Sequence, residues 1–303
     1  MKAVTVNNIV KRYGGKKASV TALQGISFEV GRGELFGIIG PDGAGKTSLF
    51  RILTTLLLAE EGTATVDGLD VVKDYKAIRQ RVGYMPGKFS LYQDLTVKEN
   101  LDFFATIFNT SIDENYDLVK DIYSQIEPFK DRRAGKLSGG MKQKLALSCA
   151  LIHRPSVLFL DEPTTGVDAV SRKEFWEMLK KLKEQGITIL VSTPYMDEAG
   201  LCDRVALIQS GKILSINTPQ GVVNEFGKKL LAVKSNDMLH LLTDLKQCEI
   251  VEDAYPFGEY HHAVLRNGDE QELNSYLQQT GRQYELKKVQ PDIEDCFIAL
   301  MKN

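Results

Sequence analysis

Between residues 34 and 53 the chain runs from Glu34-Leu35-Phe36-Gly37-Ile38-Ile39 through Gly40-Pro41-Asp42-Gly43-Ala44-Gly45-Lys46-Thr47 into Ser48-Leu49-Phe50-Arg51-Ile52-Leu53. The first piece reads as a short buried strand, and the last places its apolar residues at helical spacing. A strand that passes through a glycine-rich turn straight into a helix leaves few folds open. The glycines let the backbone wrap closely around an anion, because no Cβ blocks the approach. The N–H groups of the turn and of the helix N-terminus then present partial positive charge. All required positions of G-x-x-x-x-G-K-[ST] are filled. The stretch predicts a nucleotide site cradled by Gly40, Pro41, Asp42, Gly43, Ala44, Gly45 and Ser48. Lys46 reaches the β- and γ-phosphates, and the Thr47 hydroxyl holds Mg²⁺.

A second apolar run, Val157-Leu158-Phe159-Leu160, ends in Asp161-Glu162. A buried parallel strand that delivers acidic groups at its carboxyl end has this form. Asp161 fits the second Mg²⁺-site group, and Glu162 is placed to orient and deprotonate an attacking water. Tyr13, in Val10-Lys11-Arg12-Tyr13-Gly14, is a candidate for stacking on a nucleobase, although a lone Tyr beside a turn more often only packs.

The 303 residues exceed one average domain. Thirty-eight Lys and Arg against forty Asp and Glu leave a formal charge of −2, which argues against a nucleic-acid binder. No signal-peptide core opens the sequence, and no apolar run approaches a membrane span of about 18 residues. Cys149, Cys202, Cys248 and Cys296 lack metal-ligand spacing and read as reduced thiols of a cytoplasmic protein. His261-His262 reads as a pair on a strand.

Residues 1–33 alternate as strands, and Thr63 to Gly68 adds another strand to that layer. A helical subdomain at about 88–152 interrupts the α/β pattern; Thr96-Val97-Lys98-Glu99 is a capping box opening one of its helices. From about 224 the pattern becomes β-α-β-β-α-β, suited to a small ferredoxin-like α+β domain. Residues 228–303 carry nine Lys and Arg against thirteen Asp and Glu and no chemical motif, so a structural or regulatory role is expected. The expected architecture is an α/β phosphate-loop ATPase core with an antiparallel β layer and inserted helical subdomain (1–223), joined to a C-terminal domain (228–303).

Leu137-Ser138-Gly139-Gly140-Met141-Lys142-Gln143, about twenty residues before the Asp161-Glu162 strand, closely resembles the signature of ATP-binding cassette (ABC) ATPases. Tyr13, Asp168 in Gly166-Val167-Asp168, and Leu158 to Thr164 match the same family, and the resemblance covers residues 1 to about 222. It implies that Leu137, Ser138, Gly139 and Gly140 face the γ-phosphate of ATP on a second cassette, and that Asp168 lies at the dimer contact. Pro291 to Phe297 resembles, over a shorter stretch, the tail of drug- and efflux-type exporter cassettes, whose membrane subunits are separate chains.

Two positions depart from that pattern. Gly87 stands where a glutamine contacts Mg²⁺ and the attacking water, and Pro194 where a histidine touches the γ-phosphate. The resemblance thus implies the ATP-binding subunit of an exporter, peripheral on the cytoplasmic face of the membrane. Its own hydrolytic site would be impaired, and it would pair with a second cassette, a heterodimer rather than a homodimer. Permease subunits would contact it around Lys88 to Asn100. The rival is a soluble ABC ATPase acting on ribosomes or nucleic acid, which generally carries two cassettes or long basic segments.

Overall fold

The structure is a computed structural model and describes residues 2–15, 18–87, 91–280 and 283–302. Residues 88–90, the start of the expected permease contact, lie outside the described residues. The chain divides into two compact units, Met1–Gln220 and Gly221–Asn303.

The first unit opens with two long antiparallel strands, β1 (Lys2–Gly15) and β2 (Ala18–Gly31). β3 (Leu35–Ile39), buried at every residue, leads through the glycine-rich loop into α1 (Lys46–Leu53). β4 (Glu61–Val66) and the short β5 (Leu69–Asp70) complete an antiparallel sheet ordered β2-β1-β4-β5. A five-residue helix not foreseen from the sequence, α2 (Tyr75–Arg79), precedes β6 (Val82–Met85). It is too short to display a helical period.

Three helices follow: α3 (Val97–Ile107), α4 (Tyr116–Tyr123) and α5 (Gly139–Leu151). The capping box at the head of α3 is formed in both directions: Thr96 Oγ1 accepts from the Glu99 amide, and Glu99 accepts from the Thr96 amide. β7 (Val157–Asp161), α6 (Ala169–Glu184) and β8 (Thr188–Thr193) come next, then the hairpin of β9 (Arg204–Gln209) and β10 (Lys212–Asn217).

These strands form a second sheet ordered β10-β9-β3-β8-β7-β6, parallel except for β10. Its central strands are buried at every residue and mostly apolar because they are covered on both faces. The two sheets share one core. Phe28 stacks on Phe36 with ring centroids 5.4 Å apart, and Phe50 of α1 meets Phe159 of β7 edge-on at 5.6 Å. The carboxyl ends of β3, β7 and β8 therefore converge beside the head of α1, where parallel sheets hold their ligands.

The second unit begins inside α7 (Pro219–Asn224), earlier than the polar stretch 224–229 suggests, and both Val222 and Phe226 are buried. It continues through β11 (Lys229–Ser235), α8 (Met238–Gln247), β12 (Val251–Phe257), β13 (Tyr260–Leu265), α9 (Glu270–Gln279), β14 (Tyr284–Val289) and α10 (Ile293–Leu300). The antiparallel order β12-β13-β11-β14 is the ferredoxin-like arrangement.

Leu231, Val233, Ala263 and Leu265 pack with Leu241 and Leu245 of α8 and with Leu273 and Leu277 of α9. The opposite face receives α10. His261 and His262, consecutive on β13, point to opposite faces. His261 Nε2–H donates to the Met238 carbonyl (2.7 Å), and His262 Nδ1–H donates to Asp295 Oδ1 (2.7 Å). Tyr255 OH donates to the same carboxylate oxygen at 2.8 Å, and the Phe257 ring stacks on His262. All four cysteines are buried and free. No helix of the described residues is long and apolar enough to cross a membrane.

Candidate nucleotide-binding site

The loop from Gly40 to Thr47 takes its shape from glycines at positions no other residue fits. A Cβ on Gly40 would lie 2.0 Å from the Ile208 carbonyl oxygen. One on Gly45 would lie 2.4 Å from the Ala22 oxygen, and Gly45 also sits at φ 106°. Gly45 caps α1 without a side-chain hydrogen bond, so the first-turn amides of α1 remain available to an anion.

Lys46 is only 3% exposed, and its Nζ donates to the carbonyls of Gly40 (2.8 Å) and Pro41 (3.0 Å). The ammonium also lies 3.2 Å from Glu162 Oε1. Gly43, Gly45, Lys46, Thr47, Ser48 and Glu162 line one cleft of about 150 Å³. Tyr13, 40% exposed, shares a 3.0 Å hydrogen bond between its hydroxyl and Ser48 Oγ, which ties it to the same cleft.

The acidic pair is held by β8. Ser192 Oγ donates to Asp161 Oδ1 at 2.6 Å, and the Glu162 amide donates to both the Ser192 carbonyl (3.0 Å) and its Oγ (3.1 Å). Glu162 occupies φ 51°, a left-handed conformation that is costly for a residue with a Cβ, and the double anchor keeps it there. Tyr84 of β6 stands near this pair: burial, helped by the Asp161 charge, pushes its hydroxyl up to about 12.

Thr47 and Asp161 are the residues that would hold Mg²⁺. Hydroxyl and carboxylate oxygens suit that hard cation, which would neutralise charge on bound phosphates. The cleft lined by Gly43, Gly45, Lys46, Thr47 and Ser48, beside the uncapped head of α1, fits a phosphate chain.

Leu137, Ser138, Gly139 and Gly140 gather elsewhere. Ser138 caps α5 by accepting from the Met141 amide, and a Cβ on Gly140 would meet Ser171 Oγ at 2.7 Å. Ser171 in turn donates to Asp168 Oδ2 (2.7 Å), and Asp168 caps α6. The Ser171 amide and hydroxyl hold the Asp168 carboxyl below the usual range. None of these residues lines the cleft at the nucleotide loop. The nucleotide loop and the 137–140 stretch thus lie at two separate places on one chain.

Both departures fall beside the nucleotide loop and its acidic pair. A Cβ on Gly87 would lie 3.0 Å from the Asp161 carbonyl oxygen, and Pro194 follows Thr193, whose carbonyl accepts the Gly40 amide at 3.2 Å. Sequence reasoning missed Ser192, and its interruption of an apolar strand is the only visible hint.

A family model described as ABC transporter matches residues 23–165. Over 303 residues the chain is 36% identical to the probable multidrug ABC transporter ATP-binding protein YbhF of Escherichia coli (strain K12), covering 98% of this chain and 52% of that one. It is 35% identical to the daunorubicin resistance ATP-binding protein DrrA2 of Streptomyces coeruleorubidus, covering 98% and 94%. The chain belongs to the ATP-binding cassette family. It spans about half the length of YbhF but nearly all of DrrA2. Among solved cassettes, MJ0796 in a dimeric post-hydrolysis state bound to ADP and Pi superposes with a TM-score of 0.65 at 25% identity, over 71% of this chain and 98% of that one. The α/β core with its antiparallel layer and inserted helices is the cassette fold.

Proposed function

We propose that this cassette is the ATP-binding subunit of an exporter, docked on separate membrane subunits at the cytoplasmic face. There it would work in an asymmetric pair with a second cassette, holding ATP at its own loop and lending Ser138 to the partner's site. The names of YbhF and DrrA2 favour drug or efflux transport over work on ribosomes.

The observation that carries the asymmetry is the contrast inside the nucleotide cleft. Lys46, Thr47, Asp161 and Glu162 are assembled and anchored, while Gly87 and Pro194 bring no side-chain donor or acceptor beside them. Binding rests on the cradle and survives; the transition state loses two polar contacts. A hydrogen bond to a charged group is worth about 1.5–3 kcal/mol. Each loss corresponds to about ten- to a hundredfold in rate where the contact acts only in the transition state.

Purified alone, the chain is expected to bind Mg·ATP and hydrolyse it slowly, and Gly87→Gln with Pro194→His to raise the rate. The new glutamine must displace the Asp161 carbonyl by a few tenths of an ångström, so the histidine is the cleaner restoration. Replacing Ser138 silences the partner's site more than its own. Hydrolysis by the wild-type chain at the rate of a cassette that keeps both residues would point to a homodimer instead.

A further inference from the structure

Glu198 is 1% exposed, although the short helical turn Met196–Leu201 that carries it leaves neighbouring Asp197 in solvent. A carboxylate so enclosed needs partners, and it has three. Thr193 Oγ1 donates to Oε2 at 2.5 Å, and Thr164 Oγ1 donates to Oε1 at 2.8 Å. Arg172 Nε donates to Oε1 at 3.1 Å.

Each donor comes from a different wall of the site. Thr193 ends β8, and its carbonyl takes the amide of Gly40, the first residue of the nucleotide loop. Thr164 stands two residues beyond Glu162. Arg172 belongs to the opening turns of α6, which Asp168 caps. The guanidinium is fixed in turn by Asp197 (3.1 Å) and lies 4.3 Å above the Tyr195 ring.

We propose that Glu198 is a positioning residue that transmits occupancy of the nucleotide loop to α6, and through it to Asp168. The path Gly40–Thr193–Glu198–Arg172 runs through hydrogen bonds with no solvent step. A fully satisfied buried network moves as a unit, because leaving any member unpaired is costly. The proposal rests on the nucleotide reading given above.

The chain supplies its own reporter. Trp176, its single tryptophan, lies one helical turn beyond Arg172 and lines a cavity of about 270 Å³ with Arg172, Asp197 and Glu198. Its indole nitrogen is buried without a partner among the described residues.

The test compares the wild-type chain with Glu198→Gln, which keeps the volume, and with Arg172→Met, which removes the far end of the path. Affinity is read with a fluorescent N-methylanthraniloyl ATP in Mg²⁺, and α6 is read by Trp176 emission on adding unlabelled Mg·ATP. Both variants are expected to bind within about threefold of the wild type and to lose the Trp176 response. Glu198→Gln is expected to keep the melting temperature within a few degrees, whereas Arg172→Met, which leaves a buried carboxylate without its cation, lowers it. A full response in either variant overturns the proposal, as does a wild type that binds nucleotide with silent Trp176. In Glu198→Gln, a response lost only in step with affinity or melting temperature assigns Glu198 to stability alone and also overturns it. Failure of the wild type to bind the fluorescent nucleotide is a different result, and defeats the nucleotide reading itself.

Discussion

Lys46 is more enclosed than its motif suggests. A phosphate-reaching lysine reads from the sequence as a ligand contact whose loss leaves the fold untouched. In the structure its ammonium satisfies two loop carbonyls and faces Glu162, so it also holds the loop closed. Lys46→Ala is therefore expected to do two things. Fluorescent-ATP titration should show affinity lowered by about ten- to a hundredfold, for one lost charge-assisted contact. Thermal unfolding should show a lower melting temperature, since Gly40 and Pro41 lose a donor. Unchanged affinity in a folded variant would remove the loop from its assigned role. The cradle and the Asp161-Glu162 pair were legible in the sequence because each is contiguous and has a chemistry tied to its spacing. Ser192 and Glu198 were not, because their work depends on β8 settling between β3 and β7, a tertiary outcome that local residues do not announce.

At the scale of elements, a single imidazole joins the helical segment to the parallel sheet. His153, just past α5, stacks on Phe108 beyond α3 with centroids 3.7 Å apart and donates Nε2–H to the Val82 carbonyl of β6 at 3.1 Å. Burial pushes its pKa down from 6.5 to about 4. An unfolded chain takes up a proton near pH 6.5, whereas the folded one waits until about 4. The unfolded state therefore binds more protons between those values, and stability present above 6.5 drains away as pH falls through the window. Urea unfolding at pH 7 and pH 5 should show this loss, and His153→Gln should reduce it. An identical pH slope in the variant would show that other groups carry the effect.

The same scale governs α10. Burial works to raise the Asp295 pKa, but hydrogen bonds from His262, the Asp292 amide and Tyr255 outweigh it and hold the carboxyl below the usual range. Asp295→Ala removes this acceptor and the capping box with Asp292, at a cost of about 3 kcal/mol for a broken buried pair. Limited proteolysis should then cut the chain near residue 290. A protected α10 would mean that apolar packing through Ile293, Cys296 and Phe297 holds it unaided. The period of α10 was visible in the sequence; the face it covers was not.

For the molecule as a whole, each nucleotide and signature residue lies before residue 220, in the first unit. A chain ending near residue 220 should fold and bind Mg·ATP, with the loss falling on assembly or regulation. A truncation that does not fold would show that the first unit depends on the second. The order of β and α segments gave away both architectures, because alternating periods of two and 3.6 residues are local. The joint lies a few residues before the polar stretch 224–229: the second unit begins at Gly221, and Val222 and Phe226 are buried.

With helices on both faces of the β12-β13-β11-β14 sheet, the unpaired backbone within that unit belongs to its two outer strands. Such strands invite a neighbour's chain to add on, the first step of runaway stacking. β12 carries Pro256, which offers no amide to a newcomer, and β14 sets exposed Lys287 and Lys288 side by side. The open seams of that unit are thereby blunted by one ring and two charges.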